Sequence, residues 1–253
     1  MVFDQSRDVA VVYGGADDVN GVSNPLTQAN HWNGTSWSAP PAENGVIGSG
    51  PGRRIQFPML YDSLRQRVVM LYGTGGENTG SCGPPVGNCN DLWSLTSAGW
   101  TQISVVGTTR PAETLFSNSV VHDVKRDRYL LWRPATQTSV ETWIFDPTSR
   151  TWAQLSGTQV STDRQKAVLV YDPRRERTLL IGGPTFSESP RNLDVWALPS
   201  TAADWTLENA ANRGAGLDPE PTILPYAVYD SLHGRVVVFT SDSRRHTWVY
   251  GGP

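Results

Sequence analysis

Five aspartates, Asp4, Asp62, Asp123, Asp172 and Asp230, stand 58, 61, 49 and 58 residues apart. Each closes a short apolar stretch and opens a polar turn. A period of this size, kept five times with uneven spacing, calls for one supersecondary unit repeated with loops of different length. The unit is clearest at 171–205, YDPRRERTLLIGGPTFSESPRNLDVWALPSTAADW. A first strand ends in Tyr171-Asp172. A second, Thr178 to Ile181, runs into Gly182-Gly183. A third carries Trp196 and a fourth carries Trp205.

The other units follow the same plan. An Arg stands five residues after the Asp in four of them, as Arg67, Arg128, Arg177 and Arg235. It starts the returning strand and is placed to pair with the carboxylate, while backbone N–H groups of the turn reach the same Asp. The first unit lacks that Arg and reads as having a turn one residue shorter. The second strands, Val9 to Tyr13, Val68 to Tyr72, Tyr129 to Trp132, Thr178 to Ile181 and Val236 to Phe239, are almost continuously apolar, as in strands covered on both faces. Trp132 falls level with Leu71, Ile181 and Phe239, which makes it a core residue. Gly14-Gly15, Gly75-Gly76 and Gly182-Gly183 end three of these strands, and Arg133-Pro134 and Thr240-Ser241 replace the doublet in the others. Third strands carry Trp32, Trp93, Trp143, Trp196 and Trp248, and Trp37, Trp100, Trp152 and Trp205 follow on fourth strands. Nine of the ten tryptophans thus have a repeat address and read as packing between neighbouring sheets.

A four-stranded unit with a Gly-Gly doublet and spaced aromatics resembles the kelch repeat, in its bacterial kelch-like form. That resemblance covers essentially the whole chain and implies an all-β, kelch-type β-propeller, one blade per unit around a central channel. The expected single domain, 1–253, has blades at about 1–40, 55–103, 116–155, 165–207 and 223–253. The last unit stops without a fourth strand, so the expectation is an open ring or a piece of a longer protein. An unpaired edge there would invite self-association. The family supplies no universal catalytic residue to carry over.

Charge narrows the partners. A net charge of -3 over 253 residues argues against nucleic acid, and apolar runs of four or five residues are too short for a membrane helix. Cys82 and Cys89, in SCGPPVGNC, suit a small disulfide-closed loop better than a zinc site, with two free thiols as the other reading. A bridge implies an oxidising compartment, extracellular or at the cell surface. No signal peptide is expected at the start of this sequence, since Met1-Val2-Phe3-Asp4 already reads as strand.

Binding is expected on the face that carries the irregular 2–3 loops, such as 16–29 and 74–90, and the 4–1 links, such as 38–56, 104–117 and 207–224. Each link carries Arg, and Arg54, Arg110, Arg164 and Arg213 are the candidate ligand-binding residues, with Arg53 beside the first. Arg54 and Arg164 both stand eight residues before a repeat Asp. Converging arginines could hold an anionic group bidentately; the alternative is that they bond the scaffold. No catalytic set, metal site or cofactor is expected. His31, His122, His233 and His246 are spread over three units, against a copper centre. The function expected is a binding or scaffold propeller for a protein or glycan ligand. The alternative is a carbohydrate-active or lectin-like module with Glu113, Glu208 or Glu220 at the channel mouth.

Overall fold

A computed structural model describes residues 1–19, 22–45, 49–75, 88–112, 119–136, 139–155, 167–183, 194–202, 204–209, 226–239 and 247–250. The fold is an all-β propeller of five blades, each a small antiparallel sheet whose strands pair in chain order. The chain divides into two compact units, Met1–Phe116 with Thr148–Thr151, and Ser117–Pro147 with Trp152–Pro253.

The first unit holds two blades. Blade 1 is Val2–Asp4, Val9–Tyr13, Ala29–Trp32 and Trp37–Ser38, so its four strands are present with Trp37 on the outermost, as expected. Its 2–3 connection folds into a hairpin of Ala16–Val19 and Val22–Pro25. Blade 2 is Met59–Asp62, Arg67–Leu71, Leu92–Thr96 and Gly99–Ile103. The second unit holds three. Blade 3 is Ser119–Asp123, Arg128–Thr136, Ser139–Asp146 and Thr151–Gln154, and blade 4 is Val168–Asp172, Arg177–Ile181, Val195–Pro199 and Thr206–Asn209. Blade 5 has three strands, Tyr226–Asp230, Arg235–Phe239 and Thr247–Tyr250.

All five 1–2 turns are built alike. Register pairs Asp4 with Val9 just as it pairs Asp62 with Arg67, so the first turn has the same four residues as the rest, and the shorter turn read from the sequence is corrected. In each, the Asp accepts the backbone N–H three residues on, at 3.1 to 3.3 Å. The fourth turn residue, Asp8, Gln66, Asp127, Glu176 or Gly234, takes a φ of 48° to 63°. That left-handed conformation returns the chain into the next strand, and it costs a side-chain-bearing residue about 1–2 kcal/mol. Gln66→Gly is therefore expected to stabilise the first unit by about 0.5 kcal/mol after the extra unfolded-state entropy of glycine is charged against it. Denaturant midpoints of the two proteins would check this.

The glycine doublet needs one correction. In blade 2 the address of Gly14-Gly15 and Gly182-Gly183 belongs to Tyr72-Gly73, not to Gly75-Gly76. Tyr72 has φ 54°, beside 62° at Gly14 and 66° at Gly182. The close approach that requires glycine is direct at Gly14, where a Cβ would lie 2.5 Å from the Arg54 carbonyl oxygen.

Blades stack by a constant rule. Between blades 1 and 2, Val2, Val11, Tyr13 and Ala29 face Met59, Tyr61, Val68, Met70, Trp93 and Trp100. Between blades 3 and 4, Val121, Leu130 and Trp132 face Ala167, Leu169, Leu180, Leu198 and Trp205. Between blades 4 and 5, Val168, Val170, Leu179, Ile181, Val195 and Ala197 face Ala227, Tyr229, Val236, Val238, Trp248 and Tyr250. Counted from the repeat Asp, one blade offers positions two before and seven and nine after. The next offers positions one or three before and six or eight after. Tyrosine hydroxyls reinforce two of the joints: Ser6 N–H donates to Tyr61 at 3.0 Å and Lys125 N–H to Tyr171 at 3.3 Å.

Burial follows from the stacking. The second strands of blades 2 and 4 are buried from their second residue onward, but those of blades 1 and 5 are buried only at alternate residues. The expectation of double-sided burial thus holds for blades 2 and 4 and not for these two. Trp132 is fully buried, and Trp100, Trp143, Trp152 and Trp205 are buried with it. Trp196, expected to be mostly buried, is half-buried, and Trp37 is 56% exposed against Trp32 at 5.5 Å.

Candidate functional site

The repeat aspartates bring together the most charge, and they do so as scaffold. Asp4, Asp62, Asp123 and Asp172 are buried. The Arg five residues on reaches the carboxylate at 3.3, 3.0, 3.5 and 3.1 Å in blades 2 to 5, as the spacing predicts. A basic side chain three residues after the Asp completes the pattern: Arg7, Arg65, Arg126, Arg175 or His233. This partner was readable in the sequence, because each of the five turns carries a basic side chain at that address.

Neighbours set the titration of these carboxyls in opposite directions. Burial pushes Asp4 up, but its bonds to Ser6 and Arg7 outweigh this and hold it below the ordinary aspartate value. Burial wins at Asp123, which is raised although Arg128 opposes it. A depressed carboxyl contributes stability above its unfolded pKa and loses it as pH falls through the folded one. Asp4→Asn is therefore expected to lower stability at neutral pH, with the gap to wild type closing as the medium is acidified. Asp123→Asn should show no such closing gap, since a raised carboxyl favours the folded state more as pH falls. Thermal unfolding across the acid range separates the two.

A second device sits at the start of the third strands. Asp91, Glu141 and Asp194 accept the indole N–H of the Trp two residues on, Trp93, Trp143 and Trp196, at 2.8, 2.7 and 3.0 Å. Two of these acids also hold a buried arginine. Arg54 is fully buried and forks onto both oxygens of Asp91 at 2.6 and 2.7 Å, while its remaining donors reach the carbonyls of Pro51 and Tyr72. Arg133, 2% exposed, bonds Glu141 at 2.8 Å. The sequence shows this as an acid two residues before Trp, in DLW, ETW and DVW.

The four candidate arginines therefore separate. Arg54 is closed off inside the first unit and bonded to it, which corrects its assignment as a ligand residue: a guanidinium without solvent access and with its donors engaged has none left for a ligand. Arg110 is exposed on the link after blade 2, with one bond to the Gly107 carbonyl at 3.2 Å, and Arg53 is exposed as well. Arg164 and Arg213 lie outside the described residues, as do Glu113, Glu220 and His246. Arg164 shares the repeat address of Arg54.

Other ionisable groups are also engaged, among them Glu43, which the sequence reading had not singled out. Glu43 is buried in the short 3-10 turn Pro41–Glu43, where its carboxylate meets Arg7 at 2.5 Å and His31 at 2.7 Å. Its carbonyl accepts Trp100 Nε1–H at 2.8 Å, so the link after blade 1 is tied to both blades of the unit. Glu208 pairs with Arg177 and accepts the Tyr250 hydroxyl at 2.5 Å. Burial and that carboxylate push the Tyr250 phenol up to about 12. His122 is buried on the first strand of blade 3, edge-on to Tyr129, and His233 is exposed in its turn.

Cys89 is buried and disulfide-bonded, and Cys82 lies outside the described residues. We expect the chain's two cysteines to be bridged to each other. Intact mass without reductant should then fall two hydrogens short of the reduced chain, and neither thiol should alkylate. No protein-family model and no curated protein matches this chain.

Proposed function

We propose that this chain is a non-catalytic binding propeller of kelch-like type that recognises a protein or glycan with its irregular loops. One observation carries the reading. The five 1–2 turns are the same four-residue structure, whereas the connections on the other side differ from blade to blade. One is a hairpin at 16–25, one an arginine-anchored link at 49–58, and another is the exposed link bearing Arg110. Rigid strands with variable connections are the usual design of a binding face. The scaffold also engages the ionisable groups it draws together, including Arg54, Glu43 and Glu208. A bridged Cys82–Cys89 loop would place the protein in an oxidising compartment, outside the cell or at its surface.

The test is a glycan array run beside a hydrolysis screen on the purified chain. Saturable binding without turnover, weakened by Arg110→Ala and untouched by Lys125→Ala in a 1–2 turn, is the expected result. Turnover that Glu113→Gln or Glu220→Gln abolishes would overturn it in favour of a carbohydrate-active enzyme.

A further inference from the structure

Asn33 and Gly34 open the 3–4 turn of blade 1, between the paired residues Trp32 and Trp37. The chain has three Asn-Gly pairs, at 20–21, 33–34 and 44–45, and the first lies outside the described residues. An asparagine followed by glycine can close on itself. The glycine nitrogen, with no Cβ beside it, reaches the side-chain carbonyl carbon and forms a cyclic imide.

The turn prepares Asn33 for that step. Its Oδ1 accepts the Thr35 N–H at 2.9 Å, the Thr35 hydroxyl at 2.9 Å and the Ser36 N–H at 2.8 Å. These bonds fold the carboxamide back over the turn. They also set donors on the oxygen that gains negative charge when a nucleophile adds to Cγ, which is the arrangement of an oxyanion hole. Gly34 has φ 93°, and a Cβ there would meet nothing within 4 Å. Among the described residues no acceptor holds its N–H. All of this geometry lies inside residues 33–36 and depends on no other part of the chain.

Asn44 is the contrast. The Gly45 N–H donates to the Thr27 carbonyl at 2.8 Å, and Gly45 is buried with no room for a Cβ against the Tyr13 hydroxyl. The nitrogen that would attack is bound and wedged.

We infer that Asn33 is a self-modifying site, which converts through cyclisation on Gly34 to aspartate and isoaspartate. The Gly34 N–H gives its proton to hydroxide, and the nitrogen adds to Cγ. The anion on Oδ1 collapses, the bond from Cγ to Nδ2 breaks, and the side-chain nitrogen takes a proton from water and leaves as ammonia. Water then opens the succinimide. Opening at Cγ restores the normal main chain with aspartate, and opening at the backbone carbonyl leaves the chain running through Cγ as isoaspartate. The sum is asparagine plus water to carboxylic acid plus ammonia, with nothing oxidised or reduced. Aspartate keeps an acceptor for the three donors. Isoaspartate adds a carbon to the main chain inside the turn, so it moves Trp37 off Trp32 and loosens the short strand Trp37–Ser38.

The experiment is to age the full chain in heavy-oxygen water at mildly alkaline pH and map its peptides over time. In the folded chain Asn33 should take up label at least about 10-fold faster than Asn44, because Gly45 must first release its bound N–H. In urea both sites keep their Asn-Gly and lose their settings, so the two rates should come together. Thr35→Val removes the hydroxyl donor and keeps the N–H. It should slow Asn33 by about 5-fold in the folded chain and leave Asn44 alone, which also reports that the fold is intact. An Asn33 no faster than Asn44 in the folded chain would overturn the proposal. So would a gap that survives in urea, which would belong to sequence and not to the turn, or a Thr35→Val rate equal to wild type.

Discussion

Arg54→Met is expected to cost the first unit about 3–5 kcal/mol, the usual result of removing one member of a buried ion pair. The guanidinium is wholly enclosed, and without it Asp91 keeps a buried carboxylate whose remaining described partner is the Trp93 indole N–H. The carbonyls of Pro51 and Tyr72 lose a donor as well. Arg54→Met with Asp91→Leu should recover much of the loss, because the uncompensated charge goes and the Trp93 N–H is the remaining debt. Urea unfolding of the three proteins gives the comparison. A single-variant loss below about 1 kcal/mol would place Arg54 outside the scaffold.

Trp132→Ala should cost a similar amount, about 3–5 kcal/mol, by leaving a large cavity in the core of the second unit. The side chain is fully buried among Leu130, Leu169, Leu180 and Leu198, and Trp205 meets it edge-on at 6.2 Å. Trp196 supplies the contrast. It is half-buried and tethered to Asp194, so Trp196→Ala is expected to cost about 1–2 kcal/mol, below the range for a fully buried tryptophan. Calorimetric unfolding of both variants tests the order. Equal losses would mean that the exposed part of Trp196 is covered in solution.

The repeat was legible because it is written in residue types with a fixed backbone role. Asp62, Asp123, Asp172 and Asp230 with their Arg partners marked four of the five turns, and the alternation around them set the register. The blade-2 doublet was misread because Gly75-Gly76 looks like the motif, whereas Tyr72 accepts a left-handed φ that residue type does not advertise. Arg54 was misread for a different reason. Charge and spacing say that a link carries an arginine, but only the fold brings Asp91 to it from 37 positions away. The half-buried strands of blades 1 and 5 were hidden by composition, since Val228 and Val170 look alike in sequence and differ only in what lies over them.

Strand pairing in chain order has a consequence for synthesis. Every blade joins strands that follow one another, so its contacts close over short stretches and demand little loop entropy. Blade 2 needs nothing beyond residues 59–103 to complete its own sheet, and a growing chain can form it while the second unit is still being translated. What cannot close early is the joint. Val11 and Tyr13 on blade 1 stay uncovered until Val68 and Met70 emerge, which at ribosomal rates is a wait of about 3–10 s. The hazard to a nascent chain is thus one blade wide, and within each unit a new sheet shields the one before it.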